Sequence, residues 1–223
     1  MALQLATDPD GFMERKVGQA NIRVEILIVL LVGAMASLGA LYVVLQVLEV
    51  ENAAEMRIAS AGQVIRPLLV MLVLWGVYTV LLHFLSAHYG GRNPPSQVLK
   101  GLAWALVPVG IGNLVQSGAL YYVFRDADVE ARIDGVDPAE RLQAVFDSSM
   151  TEPVMIGATV VFMGMLLLSG YLMTFVIQHA KGLDRDEALR VVAVPVVLHL
   201  LVVIWALVQG TTNFGLVLVV GTP

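Results

Sequence analysis

The chain contains no cysteine. This absence excludes disulfide frameworks, thiolate nucleophiles and cysteine metal sites. Charge is also scarce, because Asp, Glu, Lys and Arg make up 14% of the residues while hydrophobic residues make up 58%. The mean hydropathy is +0.80, whereas a soluble domain has about a quarter of its residues charged. The composition therefore predicts an integral membrane protein.

Basic residues are fewer than acidic ones, with 13 against 18 and a formal net charge of −5. The lysines among them are Lys16, Lys100 and Lys181. An acidic chain of this kind is not expected to bind nucleic acid. An acid-rich, lysine-poor composition suits a halophilic archaeon, since the Debye length falls to about 3 Å at high salt.

Five apolar runs are near the length of about 20 residues that a membrane-spanning helix needs. We expect an all-α, polytopic membrane protein with a bundle of five transmembrane helices. An N-terminal segment of residues 1–23 precedes the bundle, an acidic outer loop covers 125–152, and a tail of 210–223 extends span five or folds back on the bundle. The predicted spans are 24–48, 67–87, 98–124, 153–178 and 188–209.

Basic residues before span one resemble the start of a signal peptide, but the apolar run continues past Ala36 to Leu48 and predicts an uncleaved span. Segments on the N-terminal side of the membrane carry most of the 13 basic residues. The positive-inside rule therefore predicts a cytoplasmic N-terminus and an outside C-terminus, in the plasma membrane if the chain is prokaryotic.

Three short segments carry helix-start signals. Asp137 with Glu140 forms a capping-box pattern in the outer loop, and Asp184 is placed to cap span five. The outer helix is predicted to lie over the ends of the bundle, or to dock an external partner. Its apolar face consists of Leu142, Val145 and Phe146.

The N-terminal segment contains a further helix start at Asp8 and Pro9. We expect its apolar face to enter the membrane interface, with Arg15 and Lys16 towards water. A cytosolic binding segment is the alternative. The apolar face consists of Phe12, Met13 and Val17.

Polar side chains inside the predicted spans form the candidate polar interior of the bundle. We expect each histidine to be neutral and bonded to another helix. A proton relay or a metal site is the alternative, but the chain has no HxxxH or HExxH pair and we predict no metal and no cofactor. The candidate residues are His83, Asn113, Gln116 and His199.

Span three is the least regular, because Pro108, Gly110 and Gly112 fall near its centre. Broken helices line substrate sites in transporters, while a kink packed against its neighbours is the other interpretation. A carrier would show a matching break in a second repeat, and none is evident. The stretch "GIGNLV" lacks the spacing of a dinucleotide fingerprint, and no P-loop pattern occurs.

Span one contains two pairs of small residues at four-residue spacing, Gly33 with Ser37 and Ala36 with Ala40. Small residues allow helices to approach closely. They indicate packing within the monomer or the contact of a homo-oligomer. No arrangement of serine, histidine and acid or of paired carboxylates appears, so no enzyme activity is predicted.

The stretch "HYGGRNPPSQVLKGLAWALVP" joins spans two and three. Gly90 and Gly91 supply the freedom for a tight turn, and Ser96 is placed to cap span three. Arg92 and Lys100 fit the cytosolic side, where they are expected to contact anionic headgroups or a protein partner. The hairpin is the candidate cytosolic contact.

The order of these features resembles the Yip family, the Ypt/Rab-interacting five-span proteins, and particularly its prokaryotic relatives. The features that carry the resemblance are "DPDGFMERK", the double-glycine hairpin, "QHAKGLDRDEALRVVAVP" and the five-span layout. The resemblance implies a five-span fold and a general role in membrane organisation or traffic, with no catalytic residues. "NPP" makes the approach to the serine longer than in the family's G-G-x-x-S…A-x-x-P pattern. The residues that match this pattern in kind are Gly90, Gly91, Ser96, Ala105 and Pro108.

The segment before span one lacks the acidic-tyrosine-glycine-proline motifs of eukaryotic trafficking members, so the resemblance does not imply binding of Rab-type GTPases. We predict a non-enzymatic scaffold or adaptor that binds membrane lipids and a protein partner. The alternative is a small transporter, permease or permease subunit with a kinked third span. A water-filled cavity bounded by Asn113, Gln116 and His199 would favour the transporter.

Overall fold

The computed structural model describes residues 2–18, 22–50, 53–127 and 137–210, and within these ranges the chain is helical with no strand. Five of its helical segments are long and apolar enough to cross a membrane. The prediction of an all-α, five-span bundle is confirmed. The tail beyond residue 210 and part of the acidic loop lie outside the described residues. The helices are α1 (Ala2–Thr7), α2 (Pro9–Val17), α3 (Arg23–Val50), α4 (Ala54–His88), α5 (Pro95–Ala105), α6 (Val107–Phe124), α7 (Pro138–Ser148), α8 (Pro153–Lys181) and α9 (Arg185–Gln209).

The second spanning helix begins at Ala54, well before Pro67, where hydropathy places its start. Pro67 lies inside α4, because a proline removes one backbone donor without ending a helix that tertiary contacts support. Those contacts come from α3 and α7. Met56 is fully buried in the core cluster at this end of the bundle.

Span three is divided at Leu106, which separates α5 from α6 just before Pro108. The backbone carbonyl of Ala105, at the end of α5, accepts a hydrogen bond of 2.6 Å from Ser169 Oγ on α8. The break that the sequence predicts is therefore present. The carbonyl at the end of α5 is hydrogen-bonded by a side chain of the neighbouring α8.

Small residues of α3 bring two helices close to it. A Cβ on Gly33 would lie 2.9 Å from Leu68 Cα on α4, and a Cβ on Gly39 would lie 2.8 Å from Ser117 Cα on α6. Ser37 donates to the Gly33 carbonyl of its own helix at 3.2 Å. Ala36 and Ala40 are buried as well. The small residues of span one thus lie in contacts within the chain.

The amphipathic helix of the outer loop is α7. Asp137 Oδ1 accepts from the backbone N–H of Glu140 at 3.0 Å, so the predicted cap forms. Its apolar face joins the core cluster at this end and packs on α3 and α4. The predicted covering of the bundle end is therefore observed. The buried residues of this face are Leu142, Val145 and Phe146.

Helix α2 starts as predicted, with Asp8 Oδ1 accepting from the N–H of Gly11 at 3.1 Å. Its apolar residues, however, pack on α5 and α8 instead of entering the membrane interface. Lys16 is only 6% exposed, so its predicted position towards water is wrong. The reason is tertiary: the indole ring of Trp104 on α5 lies beneath the ammonium, which is 4.5 Å from the ring centroid. The buried apolar residues are Phe12, Met13 and Val17.

Candidate functional site: the polar interior and the N-terminal face

Asn113 and Gln116, on α6, are 1% and 4% exposed. Asn113 Nδ2 donates to the Val32 carbonyl of α3 at 3.1 Å, and Gln116 Nε2 reaches Thr159 Oγ1 of α8 at 3.5 Å. Asn113 Oδ1 has no hydrogen-bond partner. Both amides therefore act as links between helices.

His199 does not join those two amides. Its Nδ1 lies 2.8 Å from the hydroxyl of Tyr78 on α4, and its Nε2 is buried without a partner. The expected hydrogen bond to another helix is present. Tyr78 was missed by sequence reasoning, because only the fold brings residues 78 and 199 together.

His83 lies at the end of the bundle, away from the polar links of α6. Its Nδ1 is 2.5 Å from Nζ of Lys181, which is the last residue of α8. The same ammonium donates to the Asn93 carbonyl. Lys181 is 3% exposed. The four candidate interior residues therefore fall into three separate environments, in which Asn113, Gln116 and His199 are buried and His83 is half-buried. The lysine directly after "QHA" in span four, Lys181, was the sequence signal for the environment of His83.

We call the end of the bundle formed by α2, residues 89–94 and residues 182–184 the N-terminal face. Gly90 has φ +85° and Gly182 has φ +67°, conformations that glycine adopts without strain. A Cβ on Gly91 would lie 3.0 Å from the Ser86 carbonyl oxygen and 3.1 Å from Lys181 Cβ. The hairpin and the turn between α8 and α9 therefore need glycine to pack together.

The hairpin presents Arg92 and Ser96 at its surface, and Lys100 is half-buried. The predicted capping role of Ser96 is wrong, since α5 begins at Pro95 and its N-cap is Pro94, with no side-chain cap bond. Pro94 already has the extended ψ of 154° that an N-cap requires, and Pro95 fits the first helical position. Ser96 is left free to face outwards.

A polar side-chain contact joins α2 to α8 on this face, and a second joins α5 to α3 beside it. His179 Nε2 lies 2.6 Å from Asp10 Oδ1. Trp104, which also contacts Lys16, donates from Nε1 to Glu25 Oε1 at 3.4 Å. Glu25 is 1% exposed and its Oε2 has no partner. Sequence reasoning gave no role to Glu25, although an acid in the first turn of a hydrophobic span was the visible signal.

The turn before α9 forms the predicted cap. Asp184 Oδ1 accepts from the N–H of Glu187 at 2.8 Å, and Glu187 Oε2 accepts from the N–H of Asp184 at 3.3 Å. This capping box fixes the start of α9. Arg185 beside it is exposed and lies 5.6 Å from the Phe175 ring centroid.

The side chains of the described residues include no group of three or more His, Asp or Glu placed to hold a metal ion. Five helices that are long and apolar enough to cross a membrane, the third of them divided, define a five-span helical membrane protein. Residues 3–207 match the Yip1 domain, so the chain belongs to the Yip1 family and the resemblance is confirmed. No curated protein and no solved structure matches the chain.

Proposed function

We propose that this chain is a non-enzymatic membrane scaffold or adaptor that organises membranes or their traffic by binding a protein partner on its N-terminal face. One observation carries the proposal. The face is built from separate helices fixed to one another by Lys181 and by the Asp10–His179 pair, yet it keeps Arg92 and Ser96 exposed. A surface held in one shape binds a partner without a large ordering cost.

The polar interior supports a scaffold over a transporter. Broken helices in transporters leave backbone carbonyls that coordinate the substrate, whereas the Ala105 carbonyl accepts from Ser169. The donors of Asn113 and Gln116 are engaged by neighbouring helices. The polar groups of span three therefore support helix packing.

The orientation belongs to the same proposal. We place the N-terminal face in the cytoplasm and the α7 end outside, because most basic residues lie in segments on the N-terminal side. Exposed Arg92 then meets the leaflet surface that carries anionic lipids. Headgroup contact and partner binding would occur on one side of the membrane.

Photocrosslinking from single positions in native membranes tests the proposal. A photoreactive amino acid at Arg92 and another at Ser96 are expected to yield the same crosslinked protein, because both positions are exposed on one face. Thr151, exposed next to α7, is the matched control and should not yield it. A crosslinked protein that appears at Thr151 alone, or none at any position together with solute flux in proteoliposomes, would contradict the scaffold.

A further inference from the structure

A crevice of about 170 Å³ lies between α4 and α9. Val77 and Leu198 line it and are about half exposed, at 51% and 54%. In a five-span protein, exposed aliphatic side chains in the middle of spanning helices face lipid. The crevice therefore opens towards the hydrocarbon of the bilayer. Its other lining residues include Leu74, Tyr78, Pro195 and His199.

A second, more enclosed cavity of about 10 Å³ lies behind the crevice. The two share Leu74, Tyr78 and His199 as lining residues. The inner cavity is about the size of one small polar group, since a single water needs roughly 10–15 Å³. The Tyr78–His199 pair thus stands between an apolar crevice and a small inner space.

His199 is 7% exposed, and its Nε2 is a buried polar atom without a partner. Buried polar atoms are nearly always hydrogen-bonded in proteins, so an unpaired one calls for a partner outside the chain. Nδ1 is already engaged by the Tyr78 hydroxyl at 2.8 Å.

The chemistry of that partner follows from the two possible tautomers. When the Tyr78 hydroxyl donates to Nδ1, Nε2 carries the proton and needs an acceptor. When the hydroxyl donates instead to the Pro195 carbonyl, at 3.5 Å, Nδ1 carries the proton and Nε2 needs a donor. A hydroxyl group donates and accepts, so it satisfies both states, whereas a ketone or ether satisfies one.

We propose that the crevice between α4 and α9 binds a bilayer-soluble molecule with an apolar body and one hydroxyl group, which hydrogen-bonds to His199. The crevice volume is close to that of an engineered apolar cavity of about 150 Å³ that binds benzene. A head of the size of a phenol ring therefore fits, with its tail among the lipid chains.

Two larger apolar crevices provide an internal comparison. One of about 310 Å³ lies between α6 and α8, and another of about 540 Å³ lies along α4. Among the described residues, none of the buried polar atoms without a partner belongs to their linings. If crevice volume alone determined affinity, a ligand would bind to these two crevices. If the hydrogen bond to the ligand hydroxyl determines affinity, the ligand binds in the crevice at His199.

The test uses the full chain in nanodiscs with two matched probes, 4-hexylphenol and hexylbenzene. Each competes with a photoreactive 4-hexylphenol whose crosslinks are mapped along the chain, and the histidine nitrogens are followed by ¹⁵N NMR. We expect crosslinks on α4 and α9, a shifted His199 signal, and about tenfold tighter binding of the phenol, which corresponds to about 1.4 kcal/mol. Equal binding of the two probes overturns the proposal. So does a His199 signal that does not move on addition of the phenol, because the partner of Nε2 is then a bound water only.

Variants separate the hydroxyl contact from the shape of the crevice. His199→Phe keeps a ring and removes the nitrogen, so the tenfold preference for the phenol should disappear while hexylbenzene still binds. Val77→Trp fills the crevice and should abolish binding of both probes even if His199→Phe fails to fold. Val115→Trp, in the crevice between α6 and α8, is the matched control and should leave binding unchanged. Loss of binding in Val115→Trp alone would refute the site.

Discussion

The ammonium of Lys181 lies 2.5 Å from Nδ1 of His83 and joins the last residue of α8 to the last turns of α4. The same ammonium donates to the Asn93 carbonyl in the hairpin. One buried cation therefore links two spanning helices and the loop between spans two and three. We expect the position of the hairpin on the N-terminal face to depend on this contact.

Removing the cation should loosen the hairpin. Lys181→Met keeps an apolar stem of similar length and leaves Asn93 O and His83 without their donor, at an expected cost of about 1–3 kcal/mol. We expect a lower thermal midpoint in detergent and faster tryptic cleavage at Arg92. Arg92→Met, at an exposed position, is the control and should leave the midpoint unchanged. Equal midpoints for Lys181→Met and the parent chain would show that the contact is dispensable.

A methyl group at Gly101 should disturb the docking of α2. Its Cβ would lie 2.5 Å from Val176 Cγ1 and 3.1 Å from Val17 Cγ2, so α5 would push both α2 and α8. We expect Gly101→Ala to destabilise the fold by about 1–3 kcal/mol, the usual cost of overpacking.

The matched control for that change is Gly76, at which a Cβ would meet nothing within 4 Å. Gly76→Ala should be neutral or stabilise by about 0.5–1 kcal/mol through helix propensity. The test compares the free energies of unfolding of the two variants, measured in detergent with a denaturant. If the two alanines behaved alike, the close contact of α2, α5 and α8 would not exist.

Apolar burial should contribute more than the Asp10–His179 pair to the stability of α2 docking. Asp10 is about half exposed, at 55% for its side chain, so Asp10→Asn is expected to cost less than about 1 kcal/mol. Phe12 is buried edge-on against Trp104, with ring centroids 5.2 Å apart, and Phe12→Ala should cost about 3–5 kcal/mol of docking stability. Protease cleavage at Arg15 reports both effects. Faster cleavage in Asp10→Asn than in Phe12→Ala would reverse this ranking.

The cysteine-free sequence makes the orientation easy to test. Ser96→Cys and Thr151→Cys place single thiols at exposed positions on opposite ends of the bundle. In intact cells, a membrane-impermeant maleimide should label Thr151→Cys and spare Ser96→Cys until the membrane is permeabilised. The reverse pattern would place the N-terminal face outside.

Hydropathy and capping patterns predicted the five spans, the start of α2 at Asp8, the cap at Asp184 and the apolar face of α7. These features depend on residues close in sequence. The docking of Lys16 on Trp104 and the pairing of His199 with Tyr78 could not be predicted, because both depend on which helices become neighbours. The capping assignment of Ser96 failed locally, since two prolines before it already supply the backbone conformation that starts α5.

Span three passes through two core clusters that meet within α6 and not at Leu106, because Val109 of α6 still belongs to the cluster on the N-terminal side. The core cluster on the N-terminal side includes Val98 and Leu102 of α5, whereas the cluster on the α7 side includes Leu120 and Phe124 of α6. The two ends of the span are therefore anchored in different sets of side chains. We therefore expect partial opening to divide the bundle at the boundary between the two clusters, with amide protons on its two sides exchanging as separate cooperative units.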